Sequence, residues 1–400
     1  MFSDLKICVV GLGYIGLPSA ALLANRGFQV HGVDVSSDVV ETINQGKIHI
    51  VEPDLAWYVH SAVNSGRLLA ALEPEPSDIF ILAVPTPFHD GFVPNIDYVL
   101  DATRSIARVV KAGDMVILES TSPVGTTERV EEILRANGVD TSTVYIAHCP
   151  ERVLPGQIMR ELVENDRIVG GITTEASEKV AAFYSAFVIG EVLITDARTA
   201  EMAKLTENSF RDINIAFANE LSILSDKFGI DVWELIRLAN RHPRVNILQP
   251  GTGVGGHCIA VDPWFIVHEG GDDAKLIRSG REVNTRKTDW VVEKILKEVS
   301  HLEQKLGYAP VVACMGLAFK PNIDDLRESP ALKVFQRLIA EDLQPLAVEP
   351  NLKMHPSLML TSCEEAVQTA DLVVYLVAHL EFKALDVKGK IIDFCGVMQS

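Results

Sequence analysis

A cysteine lies in a glycine-rich stretch, residues 255–262, which reads Gly-Gly-His-Cys-Ile-Ala-Val-Asp. Thiolate is a strong nucleophile even when only part of the thiol is ionised. Two adjacent glycines let a backbone pass close to a ligand, because they carry no side chain. The alternative is a buried structural cysteine beside a turn, but His257 and Asp262 stand close to Cys258 in the sequence. The stretch therefore predicts that Cys258 is a covalent nucleophile.

The N-terminal segment predicts a dinucleotide site. Residues 6–10 read as a buried strand, residues 17–26 as a helix and residues 29–33 as a second strand that ends at Asp34. Between the first strand and the helix lies the pattern Gly-x-Gly-x-x-Gly, which brings a pyrophosphate to a helix N-terminus. The acid accepts hydrogen bonds from ribose hydroxyls and repels a 2′-phosphate, so the pattern predicts NAD rather than NADP. The three glycines are Gly11, Gly13 and Gly16.

Three more strands are predicted along the N-terminal half, at residues 78–84, 115–119 and 144–147. Loops at the carboxyl ends of parallel strands form the ligand edge of an α/β sheet. The first loop is Pro85-Thr86-Pro87, and the second carries small hydroxyls at residues 120–122. We expect these hydroxyls to cap a helix and to reach the nicotinamide end of the cofactor, with capping alone as the alternative.

Residues 199–228 read as one long helix, because apolar residues recur in it at helical spacing. Lys204 and Asn208 are four residues apart, so they share one face of this helix. A solvated polar stripe is the alternative interpretation. Because these residues and Arg211 adjoin the apolar stripe, we expect the helix to line a cleft.

The C-terminal part repeats an α/β pattern without a glycine fingerprint. After a helix at residues 274–306, a strand is predicted at residues 311–319, followed by a loop with Lys320 and Arg327 near its ends. The further predicted elements are a helix at 329–342, a strand at 345–348, a helix at 363–369, and strands at 372–377 and 391–394. This second domain binds another nucleotide or is purely structural.

The predicted fold class is therefore α/β with three parts. An N-terminal Rossmann dinucleotide-binding domain is expected at residues 1–195. A central helical connector with the long helix and the cysteine loop is expected at residues 196–306. A C-terminal Rossmann-like α/β domain is expected at residues 307–400.

Composition excludes several classes of function. The formal net charge of −18 disfavours nucleic acid and anionic membranes as partners. No apolar run is long enough to span a membrane, and no signal peptide is evident. The other cysteines lie in or near apolar segments without metal-like spacing, so we expect buried thiols, no metal site and a reducing cytoplasm. These cysteines are Cys8, Cys149, Cys314, Cys363 and Cys395.

Residues 255–265 resemble the catalytic loop of the UDP-sugar dehydrogenases, and the resemblance extends over essentially the whole chain. It is closest to members that act on UDP-N-acetyl-D-mannosamine. UDP-glucose members usually carry Tyr or Ser at the position of His257, and UDP-GlcNAc members have Pro-Tyr-Tyr in place of residues 263–265. The resemblance implies a four-electron oxidation of the sugar alcohol to a carboxylate with two NAD, for cell-surface polysaccharide synthesis. It also implies a homodimer; UDP-GlcNAc and UDP-glucose remain alternative substrates.

The resemblance implies a role for each matching side chain. Cys258 is the nucleophile that forms a thiohemiacetal and then a thioester. Lys204 stabilises alkoxide or oxyanion charge, and Asn208 holds the substrate or the oxyanion. Asp262 works with the lysine and a water in proton transfer. Glu151 assists hydrolysis of the thioester.

The same resemblance implies the binding residues. Thr121 lies near the reacting centre, and Arg244 reaches substrate across a dimer interface. The expected NAD contacts are Gly11, Gly13, Tyr14, Ile15, Gly16, Asp34, Thr86, Thr121 and Arg327. The expected UDP-sugar contacts are Glu151, Arg152, Val153, Leu154, Lys204, Asn208, Arg211, Arg244, Asn246, Gly255, His257 and Lys320. One departure is Pro155, which replaces a second family carboxylate, so Arg152 and His257 are hypothesised to read the sugar.

Two other functions compete with this interpretation. The spacing of Lys204 and Asn208 after a Rossmann domain also resembles β-hydroxyacid-type dehydrogenases, which work without covalent catalysis. Those enzymes need neither a cysteine nor a second α/β domain, and this chain has both. A noncatalytic nucleotide sensor on the same scaffold is expected to have lost the reactive side chains, which are present here.

Overall fold

The computed structural model describes residues 5–256 and 258–399. The chain forms two compact units, divided after Thr206. Each unit contains its own parallel-rich sheet with hydrophobic clusters on both faces. The predicted α/β class is therefore confirmed. The division into three domains after residues 195 and 306 stays a prediction.

The first unit is built on an eight-stranded sheet in the order β3-β2-β1-β4-β7-β8-β9-β10, parallel except between β8 and β9. Its strands are β1 (Lys6–Val10), β2 (Gln29–Val33), β3 (Leu68–Ala71), β4 (Ile79–Leu82), β7 (Met115–Leu118), β8 (Tyr145–His148), β9 (Arg167–Gly171) and β10 (Val192–Asp196), and β5 (Phe88–His89) pairs with β6 (Val93–Pro94) as a short hairpin. Its helices are α1 (Gly16–Asn25), α2 (Ser37–Asn44), α3 (Leu55–Asn64), α4 (Asp97–Ile106), α5 (Thr126–Ala136), α6 (Ile158–Glu164) and α7 (Thr174–Tyr184). The predicted strands at residues 6–10 and 29–33 are confirmed as β1 and β2.

The order of strands locates the ligand edge of this sheet. Strand order reverses between β1 and β4, and ligands of open α/β sheets bind outside the carboxyl ends of the strands at such a point. Strands β4 and β7 are buried along their whole length, as expected where helices cover both faces of a parallel sheet. The glycine-rich turn and the loops after β4 and β7 therefore lie at one edge.

The long helix α8 (Ala197–Phe228) begins close to the predicted start, and the boundary between the units falls within it. Gly229 ends it with a left-handed backbone, φ +69°. In the second unit follow α9 (Val232–Ala239), α10 (Asp262–Gly270), α11 (Lys275–Leu306), β11 (Val312–Met315), α12 (Pro330–Ala340), β12 (Leu346–Val348), α13 (Cys363–Thr369), β13 (Leu372–Tyr375) and β14 (Lys390–Asp393). Short 3₁₀ turns lie at Asp90–Phe92, Thr141–Thr143, Gly271–Asp273, Leu380–Ala384 and Val397–Gln399. None of the helices in the described ranges has both the length and the apolar character that crossing a membrane requires.

The second sheet is parallel, in the order β12-β11-β13-β14. The predicted strand at residues 311–319 is too long, because the chain turns at Gly316 with φ +89°. A Cβ there would lie 2.6 Å from the Cβ of Val377, so no side chain fits at this turn. The following amide of Leu317 donates to Glu349 at the end of β12 over 2.7 Å. The first unit has the same strand, glycine turn and acid, although the two sequences differ.

An unexpected carboxylate caps helix α5. Glu201 on α8 accepts the amides of Gly125 and Thr127 over 2.6 and 2.7 Å, and also the hydroxyl of Thr127 over 2.6 Å. The prediction that hydroxyls at residues 120–122 cap this helix is wrong. Those of Ser120 and Ser122 donate instead to backbone carbonyls nearby. A carboxylate at a helix N-terminus has a stronger interaction with the free amides than a hydroxyl has.

We expect Glu201→Ala to lower the free energy of unfolding by about 1–3 kcal/mol, because it leaves buried amides without an acceptor. Denaturant unfolding of the purified chain measures this. Glu178→Ala, at an exposed carboxylate on α7 of the same unit, is the control and should change stability by less than about 0.5 kcal/mol. Equal stability of the two variants would show that the cap contributes nothing.

Candidate active site

The glycine-rich turn has room for a diphosphate. A Cβ on Gly11 would lie 2.6 Å from the carbonyl oxygen of Ala83, and one on Gly16 would lie 1.7 Å from that of Gly11. These two glycines therefore let the turn pack tightly against the loop after β4. By contrast, a Cβ on Gly13 would meet no heavy atom within 4 Å. The open side at Gly13, at the N-terminus of α1, fits a pyrophosphate that approaches the free amides there.

Asp34 links this turn to the end of β2. One oxygen accepts the amide of Leu12 over 3.0 Å, and the other accepts the amide of Ser36 over 3.0 Å. Each carboxylate oxygen has a further lone pair for a ribose hydroxyl. Tyr14 and Ile15 lie in the same turn. The arrangement fits the adenosine half of NAD.

The structure brings two predicted cofactor residues together. The hydroxyl of Thr86, after β4, donates to the backbone carbonyl of Thr121, after β7, over 2.6 Å. This bond joins the two loops at the sheet edge where the cofactor is expected. Two prolines flank Thr86 and restrict its backbone. The loops after β4 and β7 are thus fixed against each other. The sequence predicts that these loops lie at the nicotinamide end of the cofactor.

The loop after β8 begins with a buried ion pair that the sequence did not reveal. Glu151 accepts a 2.6 Å hydrogen bond from Nη1 of Arg167 and a 2.8 Å bond from the amide of Arg152. The side chains of Glu151 and Arg167 are only 4% and 3% exposed. The one sequence signal for Arg167 is a charged residue at the start of an otherwise apolar strand. The predicted acid is thus held rigidly by a partner from β9.

The rest of this loop is held by acids as well. Glu52 accepts the amides of Gly156 and Ile158, each over 2.8 Å. Glu161 accepts the amide of Leu154 over 2.7 Å. The segment with the predicted substrate contacts Arg152, Val153 and Leu154 is therefore anchored at both ends.

Predicted residues on α8 lie in different surroundings. Lys204 and Asn208 are buried, whereas Arg211 is exposed. The amide nitrogen of Asn208 donates to Oδ2 of Asp262 over 2.5 Å, although 54 residues separate the two in sequence. Asp262 is the first residue of α10, where the helix dipole favours a carboxylate. The structure therefore joins two of the residues that the sequence assigned to catalysis.

Cys258 is exposed and stands one turn before α10. Its carbonyl accepts the amides of Val261 and Asp262 over 3.0 and 2.8 Å, which ties the cysteine to the start of this helix. The backbone of Cys258 is thus bonded to the amide of Asp262, whose side chain accepts the hydrogen bond from Asn208.

The other cysteines are poor nucleophiles. Burial raises the pKa of Cys8, Cys149 and Cys314 to about 12, so these thiols stay protonated near neutrality. Cys363 and Cys395 are partly exposed, which corrects the expectation that they are buried. Burial still raises the pKa of Cys363 to about 11 and that of Cys395 well above its usual value.

The two glycines before the cysteine pack against protein. A Cβ on Gly255 would lie 2.4 Å from the carbonyl oxygen of Glu328 and 2.7 Å from Cδ of Pro330. Gly256 has φ +82°, and its Cβ would lie 2.9 Å from the ring of Phe319. Other segments of the same unit therefore account for the missing side chains at both positions. The expectation that the backbone here passes close to a ligand stays a prediction. His257 lies outside the described residues.

We expect Gly255→Ala to destabilise the second unit by about 1–3 kcal/mol, because backbone and proline atoms cannot move away as a flexible side chain does. Gly251→Ala is the matched control, since a Cβ there meets no atom within 4 Å. Thermal unfolding of both variants tests this. A melting temperature of Gly255→Ala equal to that of the control would contradict the packing argument.

The remaining predicted residues lie in loops. In the loop after β11, the ammonium of Lys320 is 5.8 Å from the ring centroid of Phe319. The guanidinium of Arg327 pairs with Asp325, with Nη2 2.6 Å from Oδ2. Arg244 and Asn246 follow α9 and are exposed. Their roles in binding stay predictions.

Three parts of the chain match models of one protein family. Residues 5–188 match the NAD binding domain of the UDP-glucose/GDP-mannose dehydrogenase family. Residues 198–286 match its central domain, and residues 313–399 match its UDP binding domain. The prediction of NAD as the cofactor is thereby confirmed.

Relatives of known function agree with these matches. The chain is 56% identical to a UDP-N-acetyl-D-mannosamine dehydrogenase of Campylobacter jejuni, over 98% of this chain and 99% of that protein. It is 54% identical to an NDP-N-acetyl-D-galactosaminuronic acid dehydrogenase of Ralstonia nicotianae, over 95% and 92%. Among solved structures, a UDP-N-acetyl-mannosamine dehydrogenase of S. aureus has a TM-score of 0.89 at 42% identity, and the match covers 99% of this chain and 96% of that one. The chain belongs to the UDP-glucose/GDP-mannose dehydrogenase family.

Proposed function

We propose that this enzyme oxidises UDP-N-acetyl-D-mannosamine to UDP-N-acetyl-D-mannosaminuronate through a covalent intermediate on Cys258. The observation that carries the proposal is the exposed Cys258 one turn before α10, where Asp262, the first residue of that helix, is hydrogen-bonded to Asn208. An alcohol dehydrogenase that stops at the aldehyde has no need of such a thiol. The substrate comes from the names of the relatives in C. jejuni and S. aureus.

In the first oxidation the primary alcohol of the sugar loses a proton and a hydride and becomes an aldehyde. Bound NAD supplies the acceptor for the hydride in each of the two oxidations. The ammonium of Lys204 stabilises the alkoxide, and Asp262 takes the proton by way of a water. The hydrogen bond from Asn208 orients that carboxylate.

The second oxidation uses the thiolate of Cys258. Its sulfur forms a bond to the aldehyde carbon, and the oxyanion that results is stabilised by Lys204 and the amide of Asn208. Loss of a second hydride converts this thiohemiacetal into a thioester. Water then attacks the carbonyl carbon while Glu151 takes its proton, the carbon–sulfur bond breaks, and the carboxylate leaves with Cys258 regenerated.

A second candidate substrate is the N-acetylgalactosamine analogue. It is favoured by the 54% identical relative of R. nicotianae. We propose Arg152 and His257 as the side chains that read the sugar. Substitution of either should change the relative rates on the UDP-sugars, and unchanged preference in both variants would remove this assignment.

The test of function is the number of NADH formed per molecule of UDP-sugar. UDP-N-acetylmannosamine, UDP-N-acetylgalactosamine, UDP-N-acetylglucosamine and UDP-glucose are compared side by side. Two NADH from the mannosamine substrate alone are expected. Two from another sugar would keep the chemistry and overturn the substrate. One NADH with aldehyde accumulating would overturn the role of Cys258.

We also propose that the protein is a homodimer that uses α8. Apolar side chains between 38% and 67% exposed follow one side of the helix at intervals of seven, seven and four residues. They are Phe210, Phe217, Leu224 and Phe228. Exposed apolar stripes of this kind are typical of protein interfaces. We further propose that the product serves cell-surface polysaccharide synthesis and that the enzyme works in the cytoplasm, where a catalytic thiol stays reduced.

We expect the double substitution Phe217→Glu with Leu224→Glu to give monomers, because dimerisation would bury two charges from each protomer without partners. Sedimentation velocity measures the state of association. Trp57→Glu is the control, since Trp57 is 64% exposed on α3 away from this stripe. Dimers that persist in the double variant would exclude this face as the interface.

A further inference from the structure

Glu151 belongs to a buried cluster of polar and charged side chains in the first unit. It consists of Glu119 after β7, Glu151 after β8, Arg167 at the start of β9 and Tyr184 at the end of α7. All four side chains are buried. Charged groups are rarely buried in this way unless they are paired, and burial is costly when one partner is missing. Because burying these groups is costly, stability of the sheet alone does not explain why they are there.

The guanidinium of Arg167 is fixed by several contacts that do not involve Glu151. Nη2 donates to the carbonyl of Leu162 over 3.0 Å. Its carbon Cζ lies 5.1 Å from the ring centroid of Tyr184, within the range of a cation–π contact. The hydroxyl of Tyr184 in turn donates to Glu119 over 2.6 Å. Because the guanidinium is planar, these contacts also fix the direction in which Nη1 points.

Nη1 of Arg167 donates to Oε2 of Glu151, and the neighbouring amide donates to Oε1. Two donors on different oxygens define both the position and the rotation of the carboxylate. Each oxygen still has one lone pair for a further donor, such as a water. The geometry is that of an acceptor held ready in one orientation.

The remaining polar atoms of the cluster face one small cavity. The side chains of Ser19, Glu119 and Arg167 line this cavity, and within the described residues Nε of Arg167 has no hydrogen-bond partner. The volume of the cavity is about 10 Å³, close to the space that one water molecule needs. One water there can accept the hydrogen bond from Nε without drawing Arg167 away from Glu151.

We propose that Arg167 is a positioning residue that holds the carboxylate of Glu151 in the orientation needed for hydrolysis of the thioester. The inference rests on the proposed function, because it assigns Arg167 a role through Glu151. Arg167 touches neither the substrate nor the cofactor in this scheme. Glu119 and Tyr184 support it by fixing the guanidinium.

The charges of the cluster agree with this role. Burial raises the pKa of Glu119 to about 7, Glu151 also raises it, and Arg167 lowers it. Burial thus favours the uncharged form of Glu119, whereas Glu151 is the carboxylate that pairs directly with Arg167. Cys149 and Tyr184 also face the cluster, and burial raises their pKa values so that both stay neutral.

The test compares thioester hydrolysis in variants of the full-length enzyme with UDP-N-acetylmannosamine and NAD. We expect Arg167→Met to leave formation of the first two NADH within about 3-fold of the wild type but to slow hydrolysis about 10²-fold, as expected for a misplaced group. The acyl-enzyme on Cys258 then accumulates and is detected by intact-protein mass spectrometry after an acid quench. Arg167→Lys keeps the charge but not the planar fork, so it should restore part of the rate.

Two further variants keep the test decisive if Arg167→Met folds poorly. Glu151→Gln alone should accumulate acyl-enzyme, and Arg167→Met with Glu151→Gln removes both charges of the pair. If Arg167 acts through Glu151, the double variant hydrolyses no more slowly than Glu151→Gln. Arg160→Met, which removes an exposed pair with Glu164 on α6, is the control and should behave as wild type.

The outcomes separate the inference from the function on which it rests. Acyl-enzyme in Glu151→Gln with wild-type hydrolysis in Arg167→Met and Arg167→Lys would overturn the inference and leave the function intact. Additive slowing in the double variant would also overturn it, because Arg167 would then act independently. A wild-type enzyme that oxidises none of the UDP-sugars would instead refute the proposed function itself.

Discussion

Replacement of Cys258 by alanine is expected to lower the rate of uronate formation by at least about 10³-fold, because loss of a nucleophile removes the covalent route entirely. The first oxidation does not need the thiol, so the variant should form at most one NADH per sugar in a single turnover. The aldehyde that accumulates can be trapped with a carbonyl reagent. The measurement is uronate and NADH per molecule of substrate, with wild-type enzyme alongside.

The matched control is Cys363→Ala, which removes the thiol of another cysteine that is not fully buried. Because burial holds the pKa of Cys363 at about 11, its thiolate is scarce near neutrality and its loss should leave the rate unchanged. Alkylation should inactivate the wild type and the control alike, with protection by substrate. Uronate formation by Cys258→Ala at close to the wild-type rate would refute the covalent scheme.

Local patterns in the sequence were enough to predict the NAD-binding domain and its cofactor. The glycines of the first turn and Asp34 lie within one strand–helix–strand unit, so their spacing alone defines their geometry. The structure adds that Gly11 and Gly16 are needed for packing and that Gly13 leaves space for the ligand. The long helix α8 was equally predictable, because its apolar period is sustained over many turns.

Contacts between distant segments were not predictable. The bond between Asn208 and Asp262 joins positions 54 residues apart, and the pair of Glu151 and Arg167 joins the loop after β8 to strand β9. No period or motif marks such partners, because tertiary folding alone brings them together. Glu201 is a similar case, since a helix cap is normally sought next to the helix and not on another one.

The glycines before Cys258 are required by packing within the protein, which the sequence pattern did not indicate. Adjacent glycines do indicate a close approach, but the sequence does not say what approaches. Phe319 and the carbonyl of Glu328 occupy the space that the missing Cβ atoms would fill. The loop before Cys258 is therefore positioned by packing within the second unit, and its glycines are needed for that packing.

Asp262→Asn is expected to lower kcat by about 10²–10⁴-fold, the usual contribution of a positioned acid or base. Asparagine has the same shape, and its carbonyl oxygen can still accept the hydrogen bond from Asn208 that the structure gives to Oδ2. The variant therefore keeps the local structure but loses both the negative charge and the proton acceptor. KM should change little, because the lost interaction acts in the transition state. Initial rates of NADH formation over a range of UDP-sugar concentrations separate kcat from KM.

Glu269→Gln provides the control, because Glu269 is an exposed carboxylate on the same helix α10. It changes the charge of that helix by the same amount without touching Asn208, so kcat should stay within about 2-fold of wild type. A similar loss in both variants would mean that the charge of α10, rather than proton transfer at Asp262, sets the rate. A kcat of Asp262→Asn within about 3-fold of wild type would assign the proton acceptor to another group. The large loss expected for Asp262 alone would instead identify the bonded pair with Asn208 as part of the chemical step, and would explain why the fold places this acid at the first residue of a helix that begins just after Cys258.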